Sequence, residues 1–160
     1  MSGWFVVNVA DAKAMRHHQA GSYVRFEDPE DLFPDYGINI HLLEPGEPNG
    51  KYHAESVQED FLVLSGECIG IIDGEERRLR AWDFVHCPAG TEHIFVGAGS
   101  GPCAILMVGA RRPEATIHYP VNELAARYGA SVVRPTSVPA EAYADWNSEL
   151  TPTRLPWPPA

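Results

Sequence analysis

Gly50-Lys51-Tyr52-His53-Ala54-Glu55-Ser56-Val57-Gln58-Glu59-Asp60-Phe61, followed downstream by Asp83-Phe84-Val85-His86-Cys87-Pro88-Ala89-Gly90-Thr91-Glu92-His93, decides how this chain is read. His53, Glu55 and Glu59 are separated by even numbers of residues. Side chains alternate across an extended strand, so even spacing places all three on one face, and Asp60 on the opposite one. His93 follows a Pro-Ala-Gly turn after a second apolar run. If the two runs pair, His53, Glu55, Glu59 and His93 converge inside a barrel. Imidazole and carboxylate are ordinary ligands for zinc, iron, manganese or nickel.

Working outward, the chain reads as many short strands. Ile38–Leu42, Phe61–Leu64, Cys68–Ile72, Glu75–Leu79, Trp82–Cys87, Thr91–Val96 and Cys103–Val108 are β-rich or apolar runs separated by turn residues. Asp73-Gly74 between two such runs signals a type I′ hairpin. Trp4–Val9 is predicted as a further strand, able to add to a partner's sheet. Phe26–Tyr36, rich in acid and proline, reads as a surface loop. After residue 110 the period changes. Val121, Leu124, Ala125 and Tyr128 predict a helix over about 121–128, with Gly129 just past its end. Residues 135–160 hold six prolines with Trp146 and Trp157. This extension is too proline-rich for a sheet, and its tryptophans predict that it lies against the barrel or a second subunit.

The quoted stretch resembles the two motifs of the cupin superfamily. The first motif of that family runs His-x-His, three or four residues, Glu, six residues, Gly. Here it is His53-x-Glu55, three residues, Glu59, six residues, Gly66. The second runs Gly, five residues, Pro-x-Gly, two residues, His, three residues, Asn. Here it is Trp82, five residues, Pro88-Ala89-Gly90, two residues, His93, three residues, Gly97. Glu55, Trp82 and Gly97 depart from the pattern. The resemblance implies an all-β fold: a single cupin-like double-stranded β-helix (jelly-roll) barrel with its core over about 36–110 within one domain of 160 residues. It also implies a divalent metal (iron, manganese or zinc) and a homodimer.

At the site, His53, Glu59 and His93 occupy the motif's ligand positions. Glu55 is either a fourth ligand or a general base beside a metal held by the other three, and the sequence leaves both open. Two histidines and one carboxylate form the set used by non-haem iron oxygenases. With Glu55 added, the ionised set cancels a divalent charge. Gln58 could orient Glu59, and Cys87 could approach the metal, although a buried inert thiol is commoner. His41 faces either way. Trp82 and Phe95 read as core. Ile40, Leu42, Leu62, Leu64, Val85, Phe95, Ile105 and Met107 are candidates for an apolar lining.

The function this supports is a metal-dependent enzyme on a small organic molecule, of oxygenase type or an isomerase or lyase. The competing reading is a cupin that binds a small ligand without turnover, its metal structural or absent. A net charge of −10 argues against an electrostatic grip on nucleic acid or an anionic membrane. No apolar run is long enough for a membrane span and no secretory signal is seen. Cys68, Cys87 and Cys103, odd in number and well separated, fit a reducing, cytoplasmic setting. No phosphate-cradling glycine loop and no Gly-x-Ser-x-Gly elbow occurs.

Overall fold

Asp73 and Gly74 both adopt positive φ, 46° and 76°, as a two-residue I′ hairpin requires. In the computed structural model, which describes residues 3–157, this hairpin joins two strands of the smaller of two antiparallel sheets. In chain order the strands are β1 (Ala14–His17), β2 (Gly21–Arg25), β3 (Tyr36–Leu43), β4 (His53–Glu55), β5 (Glu59–Ser65), β6 (Glu67–Ile72), β7 (Glu75–Arg80), β8 (Phe84–Cys87), β9 (Glu92–Ala98), β10 (Cys103–Ala110), β11 (Ile117–His118) and β12 (Leu150–Thr153). Two short helices, α1 (Glu123–Ala126) and α2 (Pro139–Ala142), lie between the last two strands. The larger sheet has the order β12-β1-β2-β3-β10-β5-β8 and the smaller β11-β4-β9-β6-β7.

The sheets face each other over Leu43, Phe61, Val63, Phe95 and Ile105, all buried. Alternation sends Ile40 and Leu42 to the other face of the large sheet, where they pack with Val24, Ala104 and Leu155. The smaller sheet buries Ile69, Ile71, Ile94 and Val96 against Ala125 of α1. This is an all-β sandwich of jelly-roll type, but hydrogen bonding does not close it into a barrel. The edge strands β8 and β12 of one sheet, and β7 and β11 of the other, pair on one side only. No helix among the described residues is long and apolar enough to cross a membrane.

The motif glycines are explained by close packing. At Gly66 (φ 72°) an added Cβ would lie 2.4 Å from the Pro102 carbonyl oxygen. At Gly97 it would lie 2.2 Å from the Glu44 carbonyl oxygen, so the loop before the first motif admits no side chain there. Trp82 instead carries φ 76° and stands 73% exposed, so it is not core. A bulky residue in the left-handed region is strained.

Three expectations are corrected here. Trp4–Val9 does not form a strand: Asn8 caps a 3₁₀ turn at Val9–Asp11, and Trp4 and Val6 are exposed. The strands of this region are β1 and β2, formed where the sequence is mixed in pattern. The helix over 121–128 shrinks to Glu123–Ala126, because Arg127, Tyr128 and Gly129 donate to carbonyls three residues back. The extension does enter a sheet: β12 pairs with β1, Pro152 opposite Met15. An edge strand tolerates proline because one side of its ladder needs no partner. Residues 158–160 of the extension lie outside the described residues.

Candidate metal centre

His53 and His93 are directly opposed across β4 and β9, which sets their ring centroids 4.8 Å apart. Glu59 begins β5 on the facing sheet, opposite Gly109 of β10. The Glu59 carboxylate lies over Gly109, where a Cβ would come into van der Waals contact with Oε1 at 3.5 Å. His93 Nε2 lies 3.2 Å from Glu59 Oε2. One ligand atom from each of His53, Glu59 and His93 falls within 4.8 Å of the others.

Both rings are oriented from behind. His53 Nδ1 is 2.7 Å from the Lys51 carbonyl oxygen, and His93 Nδ1 is 3.0 Å from that of Thr91. A carbonyl only accepts, so Nδ1 must carry the hydrogen and the neutral ring keeps its lone pair on Nε2. Metal-ligating histidines are commonly fixed in this way. The donors therefore fit a divalent ion such as zinc, iron or manganese, bound by two imidazoles and a carboxylate.

Electrostatics agree. Burial, and then the neighbouring His93, hold His53 below its ordinary value, which favours the neutral ligand form. Burial is the largest single influence on His93 and pulls it down, but the hydrogen bond and charge of Glu59, the Thr91 carbonyl and the Glu55 charge together outweigh it, and the net direction is upward. Proton and metal thus compete for one position. Glu55 is pushed up to about 7 by burial, then by the Glu59 charge.

Glu55 lines the same cavity, of about 230 Å³, but stands outside the three-atom cluster. Its carboxylate has no hydrogen bond or ion pair among the described residues, while its carbonyl accepts from Gly90 and so pins the Pro88-Ala89-Gly90 turn. Asp60 turns outward as alternation requires, bonding His86 at 2.6 Å and Gln58 at 2.5 Å, so Gln58 does not orient Glu59. Cys87 is buried in the apolar core. Burial drives its thiol up to about 12, which keeps it protonated and a poor ligand. Of the proposed lining, Phe95, Ile105 and Met107 face inward and Val85 packs against them. Ile40 and Leu42 face away, and so do Leu62 and Leu64, which alternate with inward Phe61 and Val63.

Sequence reasoning missed three polar residues at the cavity: Asn39, Asn49 and Arg111. Asn49 accepts from the Phe95 N–H at 2.8 Å. Arg111 forms a two-pronged ion pair with Glu27 and donates to the Phe33 carbonyl oxygen, which ties the 26–36 loop to the site. The alternation Gly37-Asn39-His41 was available as a signal for Asn39, whereas the Glu27–Arg111 pairing is too distant in sequence to read. A wider concavity, about 670 Å³, lined by residues 132–136 with Glu141, Ala142, Ala144 and Asp145, holds none of the ligand cluster.

The Cupin domain family model matches residues 39–109. Among solved structures, the chain is similar to the polyketide cyclase RemF from Streptomyces resistomycificus, at 19% identity and TM-score 0.59, covering 71% of this chain and 84% of that one. It is similar to a cupin-superfamily sugar phosphate isomerase from Silicibacter pomeroyi, at 29% identity and TM-score 0.54, covering 69% of this chain and 66% of that one. A cupin protein from Bacteroides fragilis shares 20% identity at TM-score 0.56, covering 71% and 89%. No curated protein matches the chain. Motif, fold and family model agree that residues 39–109 of this chain form a cupin domain.

Proposed function

We propose that this chain is a metal-dependent enzyme of the isomerase or lyase kind, moving a proton next to a carbonyl of a small polar molecule. His53, Glu59 and His93 would hold the metal, and Glu55 would be the base. The single observation that carries this is the placement of Glu55: in the cavity of the ligand cluster, outside that cluster, with its carboxylate unpartnered. A bound divalent ion would supply Lewis acidity, polarising a carbonyl so that the adjacent C–H is more acidic. Glu55 would accept that proton and return it to a neighbouring atom, the role for which a carboxyl poised near neutrality is suited. Phe61 and Met107 would limit water on the inner side, and Asn49, held by Phe95, would present its amide to the substrate. The similarity to a sugar phosphate isomerase supports proton transfer as the reaction class.

The donor set favours a second reading. Two imidazoles and one carboxylate also suit a ferrous oxygenase. Either function is supported for a cytoplasmic protein of three reduced cysteines, and a dimer in solution would follow the family resemblance.

Metal content by elemental mass spectrometry on untagged protein tests the centre. The parent should hold near-stoichiometric zinc, manganese or iron, and His93→Ala should lose affinity by more than about a hundredfold. Glu55→Gln should keep the metal yet lose deuterium wash-in from D2O into aldose and ketose phosphates. Loss of metal in Glu55→Gln would make Glu55 a ligand. Oxygen uptake without wash-in would select the oxygenase reading, and a metal-free parent would leave a ligand-binding cupin.

A further inference from the structure

A second cavity, about 200 Å³, shares Asn39 and Asn49 with the metal cavity and continues from it over the inner face of β2 and β3. Its far wall is built by two cross-strand pairs, Tyr23 opposite His41 and Arg25 opposite Asn39. Tyr23 stacks on His41 with ring centroids 5.6 Å apart, and the Arg25 guanidinium lies 5.4 Å from the Tyr23 centroid. The wall is a ladder of aromatic and cationic groups, with Arg25 at its exposed end.

Three of its polar groups are unspent. His41 Nδ1 and Asn39 Oδ1 are buried without a hydrogen-bond partner. Buried polar atoms are normally satisfied, so an unpaired one in a native structure calls for an explanation. Arg25 forms no hydrogen bond and no ion pair among the described residues. The contrast with Arg111 is direct. Both arginines border the cavities, but Arg111 is locked to Glu27 in a direct ion pair, whereas Arg25 acts on Glu27 only through its charge, without a contact.

We infer that the two cavities form one site, and that the second holds the anionic end of the small molecule that reacts at the first. Arg25 receives a carboxylate or phosphate group, and Asn39 and His41 receive hydroxyls of the same molecule. The substrate class is therefore a small hydroxylated anion, a hydroxycarboxylate or a sugar phosphate. This rests on the metal-centre reading for the reactive end, but the anion pocket stands on its own residues. A guanidinium fork suits either oxyanion.

Inorganic phosphate and glycolate are the probes. Each is titrated into the full chain, as isolated and after chelation, with calorimetry for affinity and NMR of the Arg25 guanidinium and His41 ring for location. The expected result is binding that shifts both resonances, survives chelation and His93→Ala, and weakens about tenfold or more in Arg25→Gln. Arg25→Lys should recover part of the affinity. Tighter phosphate binding assigns a phosphate ester, and tighter glycolate binding a hydroxycarboxylate. Equal affinities in parent and Arg25→Gln, or binding that disappears with His93→Ala or chelation, overturn the inference. So does the absence of binding by both probes. Arg25-dependent binding in a protein that holds no metal would leave the pocket and remove the metalloenzyme. Metal binding with anions indifferent to Arg25 would do the reverse.

Discussion

The two ends of the inner sandwich are made from the same strands and have opposite characters. Along β5 the inward positions run Glu59, Phe61, Val63. Along β9 they run His93, Phe95, Gly97. Along β10, read backwards, they run Gly109, Met107, Ile105, Cys103. Within two residues each strand passes from a polar or empty position to a sealed apolar core. At the core end every side chain is spent on packing, with Phe61 and Phe95 rings 4.5 Å apart. At the site end imidazoles are aimed by backbone carbonyls, while Glu55, His41 and Asn39 remain unspent. The apolar end supplies the rigidity that lets the polar end hold groups in unfavourable isolation.

Four measurements break or sharpen that contrast. The largest effect belongs to the core end: Phe95→Ala should cost about 3–5 kcal/mol in urea unfolding. If the two ends were independent, its metal affinity would be unchanged; a fall in affinity is expected, because the Phe95 ring packs on Phe61, which in turn lies against the His93 ring. Next is Asp145→Asn. It removes the carboxylate 2.9 Å from Lys51 Nζ, whose side chain is 1% exposed. Since Asp145 is itself well exposed, the loss should be about 2 kcal/mol, below that of a fully buried pair. Third, Trp82→Gly should stabilise by about 1 kcal/mol by relieving the left-handed backbone, read as a raised urea midpoint.

The fourth is Glu55→Gln against pH, in metal-free protein. Burial raises the folded carboxyl of Glu55 from 4.5 to about 7. A raised carboxyl keeps its proton longer in the folded state, so its contribution is full below 4.5 and is lost as pH rises towards 7. Glutamine does not titrate. The variant should therefore gain on the parent across that window and hold a constant lead above it. Partial exposure of Glu55 makes this the smallest of the four. The comparison between variant and parent is needed because His41, held down to about 4 by burial, and His53 pull the parent's stability the other way. Added zinc or manganese should narrow the lead, since a cation favours the ionised carboxylate.

The site was more legible than its surroundings. The Pro88-Ala89-Gly90 turn precedes His93 as expected, but His53 and Glu59 do not share one evenly spaced strand: the chain breaks at 56–58, so His53 lies on β4 of the smaller sheet and Glu59 on β5 of the larger, and they meet across the sandwich. Strand parity, carried along β5 from Glu59, puts Phe61 and Val63 inside; naming Leu62 and Leu64 contradicted it. Trp4–Val9 has strand-forming residues, but no sheet edge among the described residues receives it, and edge availability is a tertiary fact. The reverse holds for Met15–Pro152, where a sheet edge accepts a segment whose composition argued against it. Arg25, His41 and Asn39 meet through the β2–β3 register, which a patternless stretch before β3 did not announce.

Lys51 joins the 139–146 segment to the site by a route separate from the ring contacts His53–Tyr119–Tyr143. Its amide donates to the Tyr143 hydroxyl at 3.0 Å, and its ammonium is held by Asp145 and the Gly129 and Ser131 carbonyls beneath the Trp146 ring. Its own carbonyl fixes the hydrogen on His53. Linkage is reciprocal: if docking of the 139–146 segment sharpens the aim of His53, then filling the centre must tighten that docking by the same free energy. A protease cutting near residue 138 would thus serve as a gauge of occupancy, slowing as the centre fills.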